Sequence, residues 1–593
     1  MKTVAEENYL RKTKIICTIG PASESEEMIT ALIKNGMNVA RLNFSHGDFS
    51  EYGMRIERIR LISKELNTPV AILLDTKGPE IRIKSFSKDK VNLVHGNSFT
   101  LKNDDVIGDE TKASITYQNL AKEVSKGTRI LLDDGLIELE VSSIKDDDIK
   151  CVILNDGVIS KNKSVNVPGV FLDFEYVSEK DRNDILFGIE KGVDYIAASF
   201  CRTAFDALEI RKILEKNGGK DIEIIAKIEN ESGVDHIDEI IKVVDGVMVA
   251  RGDMGVEMDI VELPRIQKMM IKKSYSAGKK VITATQMLDS MVKNPRPTRA
   301  EATDVANAVY DGTSAIMLSG ETAVGDYPIE SLVTMGRIAE KTEKNINYQK
   351  RFDALEPDFA VSITSAISRS TCTTANNLGA AAIVTFTYSG RTARMVSSFR
   401  PAVKQIACTS NPKTYNQLAL SWGVLPVMAE EQEHTDGLFE QAVEKALETG
   451  FVKHGDAVVI TAGIPVGMSG STNILKVQVV GNMLVKGEGI NNMAVSGKVC
   501  VCKTQEEALE KFEGGDILVI PNTSNNIMNI LKEAAAIITE KKGVYSHAAI
   551  VGLTREIPVI CGAENATEII KNGTTITVDG TRGIVYSGVI KAL

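Results

Sequence analysis

Short apolar, β-branched runs recur through the first half of the chain and alternate with stretches whose apolar residues follow a helical period. The runs are Lys14 to Ile19, Asn38 to Asn43, Val70 to Asp75, Asp194 to Ser199, Ile222 to Lys227, Gly246 to Ala250, Val281 to Ala284 and Ser314 to Leu318. Continuous apolarity over four to seven residues is the pattern of strands buried on both faces, so they read as parallel strands. Eight of them, alternating with helices, predict an α/β fold built on a (β/α)8 barrel.

Between the third and fourth runs the pattern changes. Residues 82–168 alternate apolar and polar positions, with Asp/Gly turns and little helical signal. This predicts a small inserted β domain over one barrel mouth, where a lid belongs, because the loops after the strands build a barrel's active site. The barrel is then 1–81 and 169–347. A second α/β region follows over 348–475, containing AAIVTFTYSGRTA and GDAVVITAGIPVGMSGSTN. The Gly- and Asn-rich stretch MLVKGEGINNMAVSGKV reads as a linker over 476–496, ahead of a third region, 497–593. Neither a short-period repeat nor a low-complexity tract is evident.

Composition narrows the class. A chain of 593 residues holds several domains with ample cores, and needs no disulfide or structural metal on grounds of size. A formal net charge of -10 argues against a nucleic-acid scaffold. The opening MKTVAEENYLRKTK lacks the apolar core of a secretory signal, and no apolar run reaches the roughly 18 residues of a membrane span, so a cytoplasmic protein is expected. Eight scattered cysteines without a CxxC pair read as reduced core thiols.

The chemistry-bearing residues collect just after the apolar runs. VARLNFSHG supplies Arg41, Asn43 and Ser45; AILLDTKGPEIR supplies Asp75, Thr76, Lys77, Glu80 and Arg82. IIAKIEN supplies Lys227 and Glu229, which a two-residue strand period aims at one face. VMVARGDMGVE supplies Gly252 and Asp253, and VITATQM supplies Thr285. Glu229 and Asp253 on adjacent strands would offer hard oxygen ligands to Mg²⁺ or Mn²⁺, while Arg41 and Lys227 would supply positive charge to a phosphoryl or enolate oxygen. Taken singly, KIEN or RGD is an ordinary surface ion pair, Thr285 a strand-end hydroxyl and Arg82 a lid charge; five such segments at successive strand ends argue for a site. His46, followed by Gly and Asp, reads as a helix-start or structural residue rather than a base.

Together NFSHG, LDTKGPEIR, VNVPG, KIEN, ARGDMGVE, TATQML, NPRPTRAE and MLSGETA, in this order from about Lys12 to Asn473, closely resemble the pyruvate kinase family. The resemblance implies transfer of phosphate from phosphoenolpyruvate to ADP, giving pyruvate and ATP. By matching position it makes Glu229 and Asp253 ligands of Mg²⁺, and Asn43, Ser45, Asp75 and the Thr76 backbone ligands of K⁺. Glu80 matches the position that accompanies K⁺ dependence. Arg41 and Lys227 would bind the phosphoryl, with Lys227 stabilising the transition state. Gly252, Asp253 and Thr285 would line the substrate site, with Thr285 aiding proton delivery, and Asn43, Arg82 and Lys163 would attend the nucleotide.

The second region resembles the family's effector domain, in which TYSGRT would grip a phosphorylated small-molecule effector through Thr387, Ser389, Gly390, Arg391 and Thr392. A homotetramer is also implied. GVYSHAAIVGLTREIPVICG resembles the swivelling phosphohistidine domain of phosphoenolpyruvate-utilising enzymes, with His547 at the phosphorylated position. Tyr545 replaces the usual Thr there, and no ATP-grasp-like partner domain accompanies it, so an accessory role is expected. Two other readings stay open: a metal-dependent carbon–carbon lyase that stabilises a pyruvate enolate and needs no nucleotide lid, and a non-catalytic effector-binding relative.

Overall fold

The computed structural model describes residues 11–590 apart from 46, 356, 357, 359, 360, 433, 465–471 and 482. His46 and part of GDAVVITAGIPVGMSGSTN lie outside the described residues. All eight runs form one closed parallel barrel in chain order: Lys14–Thr18, Val39–Asn43, Ala71–Asp75, Tyr195–Ala198, Glu223–Ile228, Gly246–Ala250, Lys280–Ala284 and Ala315–Leu318. Their continuous apolarity has the expected cause. Ile16, Leu73, Tyr195, Met248 and Met317 fill the barrel, while the alternate residues Ile15, Ile72, Ile224 and Val247 pack outward with the helices. Helix starts are capped by side chains, as where Asp48 accepts from the Ser50 and Glu51 amides and Thr298 forms a capping box with Glu301.

The insertion rolls into a small β-barrel. Seven strands run in the order Ile81–Arg82, Ser164–Asn166, Arg129–Leu132, Ile137–Lys145, Asp148–Ile153, Ser98–Lys102, Lys112–Ser114, and an Ile83–Ile115 bridge joins the two edges. Closure removes the unpaired edges that a free sheet would expose.

The next region is a five-stranded sheet ordered Val424–Met428, Lys404–Thr409, Ala382–Phe386, Ala457–Gly463, Thr472–Val479, parallel except for the last strand. It plugs the barrel's N-terminal mouth. Ala419 and Leu420 join the barrel's interior cluster, and Tyr195 Oη donates to Gln417 O at 2.6 Å.

The C-terminal region is an eight-stranded mixed sheet, and it corrects the reading of 476–496 as a linker. Thr472–Val479 belongs to the preceding sheet, whereas Met483–Lys486, Glu488–Gly489 and Ala494–Val501 are strands of the last one. The glycines here serve close approach rather than flexibility. A Cβ on Gly487 would lie 2.5 Å from Cys561 O, and one on Gly489 would collide with Gly580 O.

Candidate functional site

Register brings the strand-end residues together. Asp75 lies beside Asn43 on one neighbouring strand and Ala197 on the other. Arg41 Nε donates to Asp75 Oδ2 at 2.6 Å, and its Nη1 donates to Thr18 Oγ1 at 2.9 Å. Lys227 Nζ sits 3.1 Å from Asp75 Oδ1 and 3.0 Å from Glu229 Oε1, and donates to Ser199 Oγ at 2.7 Å. Ser199 in turn donates to Thr76 O at 2.7 Å, and Phe200 N donates to Glu229 Oε2 at 2.6 Å. Lys227 and Glu229 therefore share a face, as the strand period requires.

The electrostatics follow from burial opposed by pairing. Burial pushes the Asp75 carboxyl up, but Lys227 and Arg41 outweigh it and hold the group below its ordinary value. Burial pulls the Lys227 ammonium down, yet Asp75 and Glu229 more than compensate and keep it protonated. Glu229 is the exception: burial lifts it to about 7, with Lys227 opposing and Asp253 adding to the rise.

A buried carboxylate left short of positive charge, with a second carboxylate nearby on the helix Arg251–Glu257, is a donor set that suits Mg²⁺. No cluster of three or more His, Cys, Asp or Glu side chains able to hold a metal occurs among the described residues, so the fit is to an ion that completes its shell with water and substrate. Asn43, Ser45, Asp75 and the Thr76 carbonyl present hard oxygens on adjoining strand ends, a donor set compatible with K⁺. Asn43 Oδ1 there accepts from Ser45 N at 3.2 Å.

Thr285 and Gln286 occupy the left-handed region, with φ of 67° and 52°. Two consecutive non-glycine residues there cost about 1–3 kcal/mol each and must be held by their surroundings. Arg251 does this. It donates to Thr285 O at 2.6 Å and Gln286 O at 3.3 Å while pairing with Asp304 at 2.6 Å. Gly252 N then donates to Thr285 Oγ1 at 2.8 Å, which fixes the hydroxyl at the mouth.

Between the lid and the mouth lies a cleft of about 600 Å³, lined among others by Arg82, Lys163, Phe200, Asp253 and Glu257. Arg82 pairs with Glu80 at 2.7 Å, and Lys163 with Asp133 at 2.7 Å. Asn166 crosses from lid to barrel, donating to Glu257 Oε1 at 2.6 Å.

Two residues of this site escaped the sequence reading. Ser199 closes a run already recognised as a strand, so a hydroxyl at a barrel strand's C-terminal end was the available signal. Arg251 stands inside the quoted ARGDMGVE, but its role depends on a backbone conformation that no local pattern announces.

Away from the barrel mouth, Gly390 takes φ 78°, which its turn requires. Arg394 Nη2 donates to Ser389 O at 2.7 Å, and Thr387 N to Cys408 O at 3.0 Å. The buried Thr392 hydroxyl lies 2.7 Å from that of Thr472, while Arg391 is exposed and lines a cavity facing the barrel. His547 opens the helix His547–Arg555. Its Nδ1 is 3.1 Å from Thr523 Oγ1 and its Nε2 is 3.0 Å from Asn525 Oδ1, with Tyr545 projecting beside it at 90% exposure.

Comparison with known proteins agrees with this layout. Residues 10–332 match the pyruvate kinase barrel domain, 365–478 the pyruvate kinase alpha/beta domain, and 512–583 the mobile domain of phosphoenolpyruvate-utilising enzymes. The pyruvate kinase of Bacillus licheniformis is 52% identical over 581 residues, covering 98% of this chain and 99% of its own. That of Geobacillus stearothermophilus is 53% identical over 580 residues, with the same coverage of 98% and 99%. A crystal structure of a pyruvate kinase from Cryptosporidium parvum superposes with a TM-score of 0.76 at 38% identity, covering 79% of this chain and 96% of that one. With barrel, lid and α/β domain in place and near-complete coverage by these relatives, the chain belongs to the pyruvate kinase family.

Proposed function

We infer that the protein transfers the phosphoryl group of phosphoenolpyruvate to ADP, giving pyruvate and ATP. The observation that carries this reading is the buried Arg41–Asp75–Lys227–Glu229 cluster at a barrel mouth roofed by a cleft large enough for a nucleotide. A lyase acting on the same enolate would need the cluster but not the lid cleft.

In this mechanism Arg41 and Lys227 hold the phosphoryl oxygens, and Lys227, kept protonated by its two carboxylate partners, stabilises the negative charge that develops as the bond to the enolate oxygen breaks. Gly252 and Asp253 line the substrate pocket. Thr285, held in place by Arg251 and Gly252, delivers or relays a proton to the enolate carbon, which completes pyruvate. Asn43, Arg82 and Lys163 attend the nucleotide. Glu229 and Asp253 would hold Mg²⁺ or Mn²⁺, which supplies Lewis-acid stabilisation when bound. Asn43, Ser45, Asp75 and Thr76 would hold K⁺, with Glu80 matching K⁺ dependence.

The same reading makes the protein an allosteric homotetramer of the cytoplasm, with a phosphorylated effector at Thr387, Ser389, Gly390, Arg391 and Thr392, and His547 outside the reaction. Among the described residues no helix is long and apolar enough to cross a membrane. It divides the chain into barrel, lid 82–168, effector domain from 348, and C-terminal appendage.

The test is pyruvate formation from phosphoenolpyruvate and ADP with Mg²⁺ and K⁺, beside a folded Lys227→Met variant. Removing the charge should lower kcat by at least about 10³-fold. Absence of turnover in the wild type, with or without sugar phosphates and AMP, would sink the reading and turn attention to lyase chemistry.

A further inference from the structure

At the opposite end of the barrel from the catalytic mouth, the α/β domain encloses a second cavity, of about 230 Å³, against the strand starts. Its polar lining has an unusual property. Tyr275 Oη, Ser421 Oγ, Arg394 Nη1 and both Nε and Nη1 of Arg400 are buried and lack a hydrogen-bond partner among the described residues. All five carry hydrogen to donate, and buried donors are rarely left unmatched. Arg394 Nη1 does lie 3.0 Å from Glu223 Oε1, which meets its charge but not its hydrogen-bond direction.

The charge balance points the same way. The two acids in the lining are already engaged, Glu223 by Lys280 at 2.5 Å and by Arg394, and Asp245 by Arg211 at 2.5 Å. Among the described residues Lys279, Arg391 and Arg400 form no salt bridge with a carboxylate, and Lys279 Nζ donates to Val244 O at 2.8 Å. Arg400 is 97% buried by its 3% exposure, and its guanidinium lies 4.5 Å from the Trp422 ring and 5.2 Å from the Tyr275 ring. Ring faces attract a cation but offer no lone pair in the guanidinium plane. Burial lowers its pKa to about 10, which marks a cation short of compensating charge.

We propose that this cavity is an anion site that takes a compact oxyanion of the phosphate class, separate from the catalytic mouth and bordering the Thr387–Thr392 loop through Arg391 without using the Thr387 and Ser389 hydroxyls. A tetrahedral dianion accepts hydrogen bonds at every oxygen and donates few, so it satisfies convergent O–H and N–H donors while neutralising Arg400 and Lys279. Its place in the fold gives it leverage. Arg394 reaches Ser389 O on one side and Glu223 on the other, and Glu223 begins the strand Glu223–Ile228 that carries Lys227 near its far end. An oxyanion here would brace the contact between the two domains.

The experiment is calorimetric titration of the full-length protein with inorganic phosphate. The wild type should show saturable binding. Tyr275→Phe combined with Ser421→Ala removes two donors with little change of shape and should weaken binding about tenfold or more, and Lys279→Gln should weaken it in the same sense. Lys227→Met and the pair Thr387→Ala, Ser389→Ala should leave this binding intact, because they alter the other two phosphate-binding candidates. Lack of saturable phosphate binding overturns the proposal. So does binding that disappears in Lys227→Met or in the loop pair while Lys279→Gln and the Tyr275, Ser421 pair bind like the wild type. A crystal structure grown in phosphate with water alone on the five donors also overturns it. If the double variant melts early, Lys279→Gln decides.

Discussion

Ser199 links the two halves of the barrel-mouth cluster, accepting from Lys227 Nζ at 2.7 Å and donating toward Thr76 O at 2.7 Å, with Asp75 Oδ1 at 3.0 Å. A single hydroxyl thus orients the ammonium on which charge stabilisation depends. Ser199→Ala keeps the charges and removes the tether, so it should lower kcat about tenfold, far less than loss of Lys227 itself. Steady-state kinetics on the two variants side by side would reveal this ranking; equal losses would mean that Ser199 does more than position. The residue scale also explains why Glu229, unlike Asp75, is lifted to about 7: Asp75 has two cations at hydrogen-bond range, and Glu229 shares only one of them.

At the scale of elements, the turn after Lys280–Ala284 depends on a neighbour for its shape. Thr285 and Gln286 hold a left-handed conformation that neither residue favours, and Arg251, at the helix start that follows the preceding strand Gly246–Ala250, binds both carbonyls. Replacing Arg251 by Met should let the turn relax and carry the Thr285 hydroxyl out of place, lowering kcat/KM by about 10²-fold. Circular dichroism should show the barrel unchanged. A variant with normal kcat/KM would remove Arg251 from any positioning role.

At the scale of the whole molecule, the domains meet through buried charge as well as apolar surface. Burial pushes the Glu223 carboxyl up, but Arg394 and Lys280 outweigh it and bring it from its ordinary 4.5 to about 2. A carboxyl held below its unfolded value stabilises the fold above about pH 4.5, and that contribution is lost as the pH falls toward 2. Glu223→Gln should therefore be less stable than the wild type near neutrality, by about 3 kcal/mol, because it leaves buried cations uncompensated. Urea melts at stepped pH should show the two converging on acidification; parallel curves would deny the linkage. The C-terminal appendage yields a second prediction. A chain ending at Gly481 keeps the strand Thr472–Val479 and should retain barrel turnover, whereas one ending at Gly487 leaves Met483–Lys486 without its partner Ile584–Ser587 and should aggregate. Light scattering and kcat on the two truncations separate these outcomes.

The alternation of apolar runs with helical stretches was enough to set out the barrel, because strands buried on both faces must be apolar throughout and the chain order of the strands is their order in the barrel. The site's charged residues were legible for a related reason: they stand just past those runs, where a barrel places its chemistry. Glycine was ambiguous. The same letters that signal a loose linker also permit backbones to touch, and only the packing of Gly487 against Cys561 and of Gly489 against Gly580 distinguished the two. The convergence of Tyr275, Arg394, Arg400 and Ser421 on one cavity was beyond the sequence as well, since these residues come from elements whose contact is set by the docking of one domain on another. Local periodicity encodes which face of an element is buried; what that face meets, and which donors are left without acceptors, is decided when the elements close.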